Sequence, residues 1–394
     1  MNVLINMCRM FTYMMNLTRS LKHYKHFVHI LLPVCLIFLI EISQKRTIVK
    51  ELIRFQPDMK HILVWTDIQA LKGDGQTYFT NRKCDYTNCY LTRNRNLFGD
   101  IRYFDLILFN LQDVSADSEN LPHVRGQNQK YIFVANNSAD NYPVCDSKYD
   151  NFFNWTWTYR YDSTISYRFI TVHNTEYEEL GSHFHWNTHM KPIDEKIKQK
   201  LSTKSKAAVI FLDKCKSRSK REVLVKDLQK ELERFNLTVD IFGECGPRQC
   251  RRRTMQPCYW RVKKMYYFYL AFEDSMSADY ITQAVLSAYD NYAVPIVYGG
   301  VHYDKYLPPG SYLNAVNASA ATLAQTMHDI IGNREKYYNY FRWRNHYIIS
   351  KSTPLDGCDL CELMNNPARL KQMSSYENFR KWWNPNYIQR CDSN

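Results

Sequence analysis

Short apolar runs alternate with polar turns along this chain, and their spacing predicts two successive α/β halves. In the first half, His61–Trp65, Asp105–Phe109 and Tyr131–Ala135 are long enough for buried strands and too short for full helices. In the second, Ala207–Phe211 reads as a strand and 220–235 as a helix, with Val223, Leu224, Leu228, Leu232 and Phe235 along one stripe. Leu237–Phe242 then returns as a strand and completes a βαβ unit. The order strand, helix, strand repeats over Tyr266–Phe272, Asp279–Tyr289 and Val294–Val297. Ser275 or Asp279 is placed to cap that helix, whose positive end then points at the sheet crest and suits a diphosphate. Open α/β sheets bind ligands beyond the carboxyl ends of their strands, so the loops of 268–300 are expected to carry the site. From Ser163 to about Ser205 the periodicity fails, and this stretch reads as a linker. Its histidines, His183, His185 and His189, lack an HExxH frame and read as surface residues.

The amino-terminal pattern differs from the rest. Residues 27–40 are an apolar run, flanked on the amino side by Arg19, Lys22, His23, Lys25 and His26, with no small-residue cleavage signature after it. The run is shorter than the roughly 20 residues that span an average bilayer, although thin early-secretory membranes accept less. The charge bias predicts a cytosolic tail at 1–26, an uncleaved anchor at 27–42, a stem at 43–58 and a lumenal remainder.

Composition narrows the function classes. The chain has 394 residues, 45% hydrophobic and 23% charged, which is globular and favours two domains. Its net charge of +13 is dispersed among acidic residues without any recognition-helix, RNP or zinc-finger pattern, which argues against nucleic acid as a partner. Ten of its 12 cysteines lie beyond the apolar run, as expected for an oxidising lumen. Spacing suggests short closed loops: Cys84 with Cys89, Cys245 with Cys250 or Cys258, and Cys358 with Cys361. A single CxxC without an ordered His/Cys set makes a poor zinc site, and no metal is expected. Sequons stand at Asn136, Asn154, Asn236 and Asn317. The absence of GxGxxG, GxxxxGK and a well-placed DxD leaves metal-independent binding of a nucleotide sugar as a compatible chemistry.

Several segments carry a resemblance. Residues 268–275, Phe-Tyr-Leu-Ala-Phe-Glu-Asp-Ser, resemble the FYLAFENS motif of the α-1,3-fucosyltransferases, glycosyltransferase family 10; 279–282 resemble its DYxT and 293–300 its VPVVxG segment. Residues 239–246 are similar to VDIYGxCG and 154–159 to NWTxxY, so the likeness covers roughly 62–361 and looks most like the invertebrate enzymes of the N-glycan core. It implies a GT-B fold of two Rossmann-like domains facing a cleft: an acceptor-side domain at 59–190, a GDP-fucose domain at 191–365 and a tail at 366–394. It also implies inverting transfer of fucose from GDP-fucose to N-acetylglucosamine of an N-glycan on a glycoprotein, no cofactor, and a single-pass type II place in the Golgi membrane.

The same resemblance assigns site residues and exposes departures. Arg221 matches an arginine near the donor diphosphate, with Arg218 and Lys220 as neighbours; Glu273 is placed to orient sugar or nucleotide, and Tyr280 and Tyr298 to wall the crevice. The family's catalytic carboxylate position holds Asn137, and an amide cannot accept a proton near neutral pH. Asp140, three residues on, replaces it only if the loop rearranges. After DYxT the family reads EKxxxNA, whereas this chain has Gln283, Ala284 and Ala288, and Tyr267 stands where a lysine is usual. Loss of the cation at 284 removes a group that would stabilise the leaving diphosphate. A catalytically degenerate member that binds glycan or protein in the secretory pathway is therefore the alternative expectation.

Overall fold

The computed structural model describes residues 58–116, 121–181, 184–250, 255–352, 356–372 and 374–392. The anchor expected at 27–42 lies outside them; among the described residues no helix is long and apolar enough to cross a membrane. The account that follows concerns Lys60–Arg95 and Ile101 onward, which cluster as one compact unit.

Among the described residues thirteen strands form three sheets: β1 Lys60–Val64, β2 Cys89–Thr92, β3 Leu106–Asn110, β4 Lys130–Ala135, β5 Trp155–Thr158, β6 Ile165–Ser166, β7 Ile170–His173, β8 Lys206–Phe211, β9 Val239–Phe242, β10 Tyr266–Phe272, β11 Val294–Tyr298, β12 Leu313–Asn314 and β13 Ile348–Lys351. The first sheet runs β2-β1-β3-β4-β5-β6 and the second β12-β11-β10-β8-β9. Every pairing in both is parallel, which gives an α/β fold with two parallel sheets. Strands buried on both faces need apolar residues at consecutive positions, which is why the central runs read so plainly. In β10, Phe268, Leu270 and Phe272 enter one core while Tyr269 and Ala271 enter the other.

The expected linker is structured. β6 extends the first sheet, β7 pairs antiparallel with β13, and Asp194 caps a helix at Glu195–Leu201. The partner of β7 comes from far along the chain, so no local periodicity announces it.

The carboxyl-terminal segment also departs from the expected division. The helix Cys358–Met364 places Leu360, Cys361, Leu363 and Met364 in the core under the first sheet. Further on, Phe379 and Trp383 set their rings edge-on to Phe133 of β4, at centroid distances of 4.8 and 5.0 Å. The chain thus returns to its first lobe instead of ending as an appendage of the second.

The cysteines follow the same geometry, and the local pairings are overturned. Cys84 bonds Cys358 and Cys89 bonds Cys361, across separations of 274 and 272 residues. Cys358 and Cys361 are three apart on one helix, so both sulfurs meet the same neighbour, β2 and the loop before it. Cys215 bonds Cys245, both lying just beyond the adjacent parallel strands β8 and β9, and Cys250 bonds Cys258. Cys145 bonds Cys391, anchoring the last helix. All ten cysteines from Cys84 on are oxidised, including Cys84 and Cys358, which with Asp356 form the one metal-type grouping among the described residues.

Candidate active site

Because β8, β10 and β11 are parallel, their carboxyl ends share one edge, and the loops leaving them interlock there. Ser219, after β8, donates through Oγ to the carbonyl of Glu273 at 2.7 Å and through its amide to the carbonyl of Asp274 at 3.1 Å. The Tyr298 hydroxyl, at the end of β11, donates to the Ser219 carbonyl at 3.1 Å. Gly300 is required where the 273–279 loop crosses β11: a Cβ there would lie 2.1 Å from the Met276 carbonyl oxygen.

Arg221 opens the helix Arg221–Glu233 and donates through a guanidinium nitrogen to the Phe272 carbonyl at 2.7 Å, one residue before Glu273. Its Nε is buried and, among the described residues, has no hydrogen-bond partner. Glu273 is 2% exposed. Its carboxylate accepts the Thr282 amide at 2.8 Å and the Thr282 hydroxyl at 3.1 Å, so it closes the loop over the crest. Burial pushes its pKa up to about 7, while the Thr282 bonds and the Arg221 charge pull the other way.

Neither expected helix cap acts as one. Asp279 has φ of +60°, and its carboxylate accepts the Tyr161 amide at 3.1 Å. Ser275 Oγ is buried without a partner among the described residues. With the Thr282 amide already bound to Glu273, the helix begins only at Ala284, with Gln283 as an N-cap that makes no side-chain bond, and runs to Asp290. Seven residues are too short to present the expected diphosphate cradle. Gln283 is exposed at its start, and Ala284 is half-buried.

The loop after β4 meets this crest from the first lobe. Ser138 and Ser277 pair through their hydroxyls at 3.1 Å, and the Asp140 amide donates to Ser277 Oγ at 2.8 Å. Asn141 Nδ2 donates to Asp274 Oδ1 at 2.9 Å. Asn137 is half-buried in the same loop, beside exposed Asn136. The Asp140 carboxylate is held bidentate by Arg390 at 2.5 and 3.1 Å, so it does not stand in for a carboxylate at 137. Tyr280 bridges the lobes, its ring edge-on to Tyr159 at 5.1 Å and to Phe169 at 5.8 Å, and burial raises its pKa. Arg218 is half-buried in the loop after β8.

The pairs Asn141–Asp274 and Asp140–Arg390 join residues 133 and 250 apart, and no motif signalled them. The sequons divide: Asn136, Asn236 and Asn317 are exposed, whereas Asn154 accepts the Tyr131 amide at 2.9 Å and donates to the Ser374 carbonyl at 3.4 Å.

Cavities open elsewhere among the described residues. One of about 280 Å³ lies beyond the carboxyl ends of β1 and β3, lined by Trp65, Asp67, Arg95, Phe109 and Asp113, with the Arg95 guanidinium 3.7 Å from the Trp65 ring centre. A larger one, about 600 Å³, lies where the chain enters β12, among Met190, Tyr312 and Tyr340, away from the interlocked loops.

With this geometry described, the chain can be set beside its relatives. Residues 201–382 match the description Glycosyltransferase family 10 (fucosyltransferase) C-term, and 57–170 match Fucosyltransferase, N-terminal. Alpha-(1,3)-fucosyltransferase C of Drosophila melanogaster is 30% identical over 343 residues, 84% of this chain and 79% of the relative. Glycoprotein 3-alpha-L-fucosyltransferase A of the same organism is 28% identical over 78% of this chain and 57% of its own length. Alpha-(1,3)-fucosyltransferase fut-1 of Caenorhabditis elegans is 30% identical over 46% of this chain and 42% of its own length. A crystal structure of an alpha1,3-fucosyltransferase with GDP-fucose superposes with a TM-score of 0.46 at 14% identity, over 82% of this chain and 94% of that one. The chain belongs to glycosyltransferase family 10, the fucosyltransferases, and by family is a transferase.

Proposed function

We propose that this protein is a glycoprotein α-1,3-fucosyltransferase that moves L-fucose from GDP-fucose, with inversion, to N-acetylglucosamine of an N-glycan, at the core. The observation that carries the reading is the crest of the second sheet, where Arg221, Ser219, Glu273 and Tyr298 interlock at the carboxyl ends of three parallel strands. The buried, unpartnered Nε of Arg221 is a donor suited to a phosphate oxygen, and its charge offsets that of the leaving diphosphate. The second lobe is the donor side of a GT-B fold. On the acceptor side, the aromatic and carboxylate lining of the Trp65 cavity suits a sugar. No metal enters this chemistry. Five disulfides fit a lumenal setting, and with the anchor at 27–42 they support a type II protein of the Golgi membrane.

A second reading, a non-catalytic glycan- or protein-binding member, is favoured by Asn137 and Ala284, which replace a carboxylate and a cation. Incubation of the detergent-solubilised full chain with labelled GDP-fucose and an N-glycan decides between them. Fucose transfer is expected. GDP binding without transfer selects the second reading, and absence of both overturns the two together.

A further inference from the structure

We propose that Asp274 is the general base of the transfer, a role that rests on the fucosyltransferase reading above. The chemistry needs a carboxylate beside the acceptor hydroxyl, and the position from which the family resemblance expects it holds an amide. Asp274 lies against that same loop: its Oδ1 accepts Nδ2 of Asn141, four residues after Asn137, at 2.9 Å. The motif likeness shows a reciprocal exchange. FYLAFENS has an amide after its glutamate where this chain has Asp274, and the carboxylate missing at 137 reappears across the interface between the lobes.

The other carboxylates of the crest are committed elsewhere. Glu273 is buried and doubly bonded by Thr282. Asp140 is held bidentate by Arg390, and Asp279 accepts the Tyr161 amide. Glu222 accepts the Ser217 hydroxyl at 2.7 Å. Asp213 lies beside Gly243, just past the end of the edge strand β9. Asp274 instead keeps 19% of its side chain exposed, and among the described residues its second oxygen meets the 67% exposed Lys214, at 3.3 Å. An ionised carboxylate has about four acceptor sites, so these two contacts leave it room to take a proton.

In the step proposed, the acceptor oxygen attacks C1 of fucose as its proton passes to the Asp274 carboxylate. The bond from C1 to the phosphate oxygen breaks, and its electron pair leaves on GDP. Asn141 orients the carboxylate from the first lobe, so the base is assembled only where the lobes meet.

The test uses the full chain in detergent and four proteins: unmodified, Asp274→Asn, Asn137→Glu and the double variant. Asp274→Asn is expected to lower kcat by about 10²–10⁴-fold, with KM and calorimetric GDP affinity within about threefold of the unmodified protein on the same principle that a base acts in the chemical step. It should also lose the acid limb of the kcat–pH profile, and Asn137→Glu should restore turnover in the double variant. In Asp274→Ala, added formate should recover part of the rate. Asp274→Asn that turns over within threefold of the unmodified protein, with its acid limb intact, overturns the proposal. So does a loss of GDP affinity in step with kcat, which would assign Asp274 to holding the lobes together. An unmodified protein that binds GDP yet transfers nothing fails earlier, at the functional reading, and takes this inference with it.

Discussion

The two lobes are closed in different ways. The second is sealed mostly by its own neighbourhood: the helix Arg221–Glu233 covers β8 and β9, the helix Ala320–Ile331 packs on the same side, and its two disulfides span 30 and eight residues. The first depends on the far end of the chain, with Leu360 and Met364 beneath one face of its sheet, Phe379 and Trp383 against the other, and three disulfides that span 246 to 274 residues. The comparison teaches that the two lobes draw on contacts of different range. The crest of the second sheet stands on locally determined structure, while the lobe that meets it is held by long-range covalent ties.

Breaking those ties should have the largest effect. Closing a loop of this length is worth about 5–6 kcal/mol in the chain-entropy account, against about 2–3 kcal/mol for the Cys250–Cys258 loop. Cys84→Ser with Cys89→Ser removes both staples to the helix Cys358–Met364 and is expected to lower Tm far more than Cys250→Ser with Cys258→Ser. The second staple alone should matter little, because with Cys84–Cys358 intact it closes only a small circuit. Equal Tm losses for the two double variants would erase the distinction drawn between the lobes.

Trp383→Ala comes next, at about 3–5 kcal/mol. Its ring is wholly buried and its Nε1 donates to the Tyr142 carbonyl at 2.9 Å, so denaturant melts should register the loss, with first-lobe amides exchanging faster. A change confined to the second lobe would contradict the packing described.

Glu273 sharpens the comparison from the other side. Its folded pKa, about 7, lies above the unfolded value of about 4.3, so the native state holds the proton more tightly. That contribution is complete below pH 4.3 and is lost as pH rises through 7, amounting to about 4 kcal/mol. Subtracting the stability of Glu273→Gln from that of the unmodified protein should leave a curve that falls over this window and is flat above it. A flat difference throughout would mean the carboxyl is not buried as described.

What was legible in the residues follows the same division. Strands β8, β10 and β11 match the apolar runs to within about a residue, because a strand covered on both faces must be continuously apolar. Arg221 and Glu273 share one crest, since parallel strands bring their following loops together. The helix start at Ala284 was missed because Asp279 takes a left-handed conformation that its polar side chain conceals. Strands β2 and β5, four residues each and partly polar, gave no sufficient run. The disulfide map, the β7–β13 ribbon and the Asn141–Asp274 bond are products of tertiary proximity, and spacing along the chain carries no record of them.

The return of the carboxyl-terminal helices sets an order on synthesis. A ribosome delivers β1 to β6 first, yet Cys84 must wait 274 residues for its partner, and Cys145 must wait 246. The second sheet can therefore condense while the first is still open, and the lobe that is translated first is the one finished last.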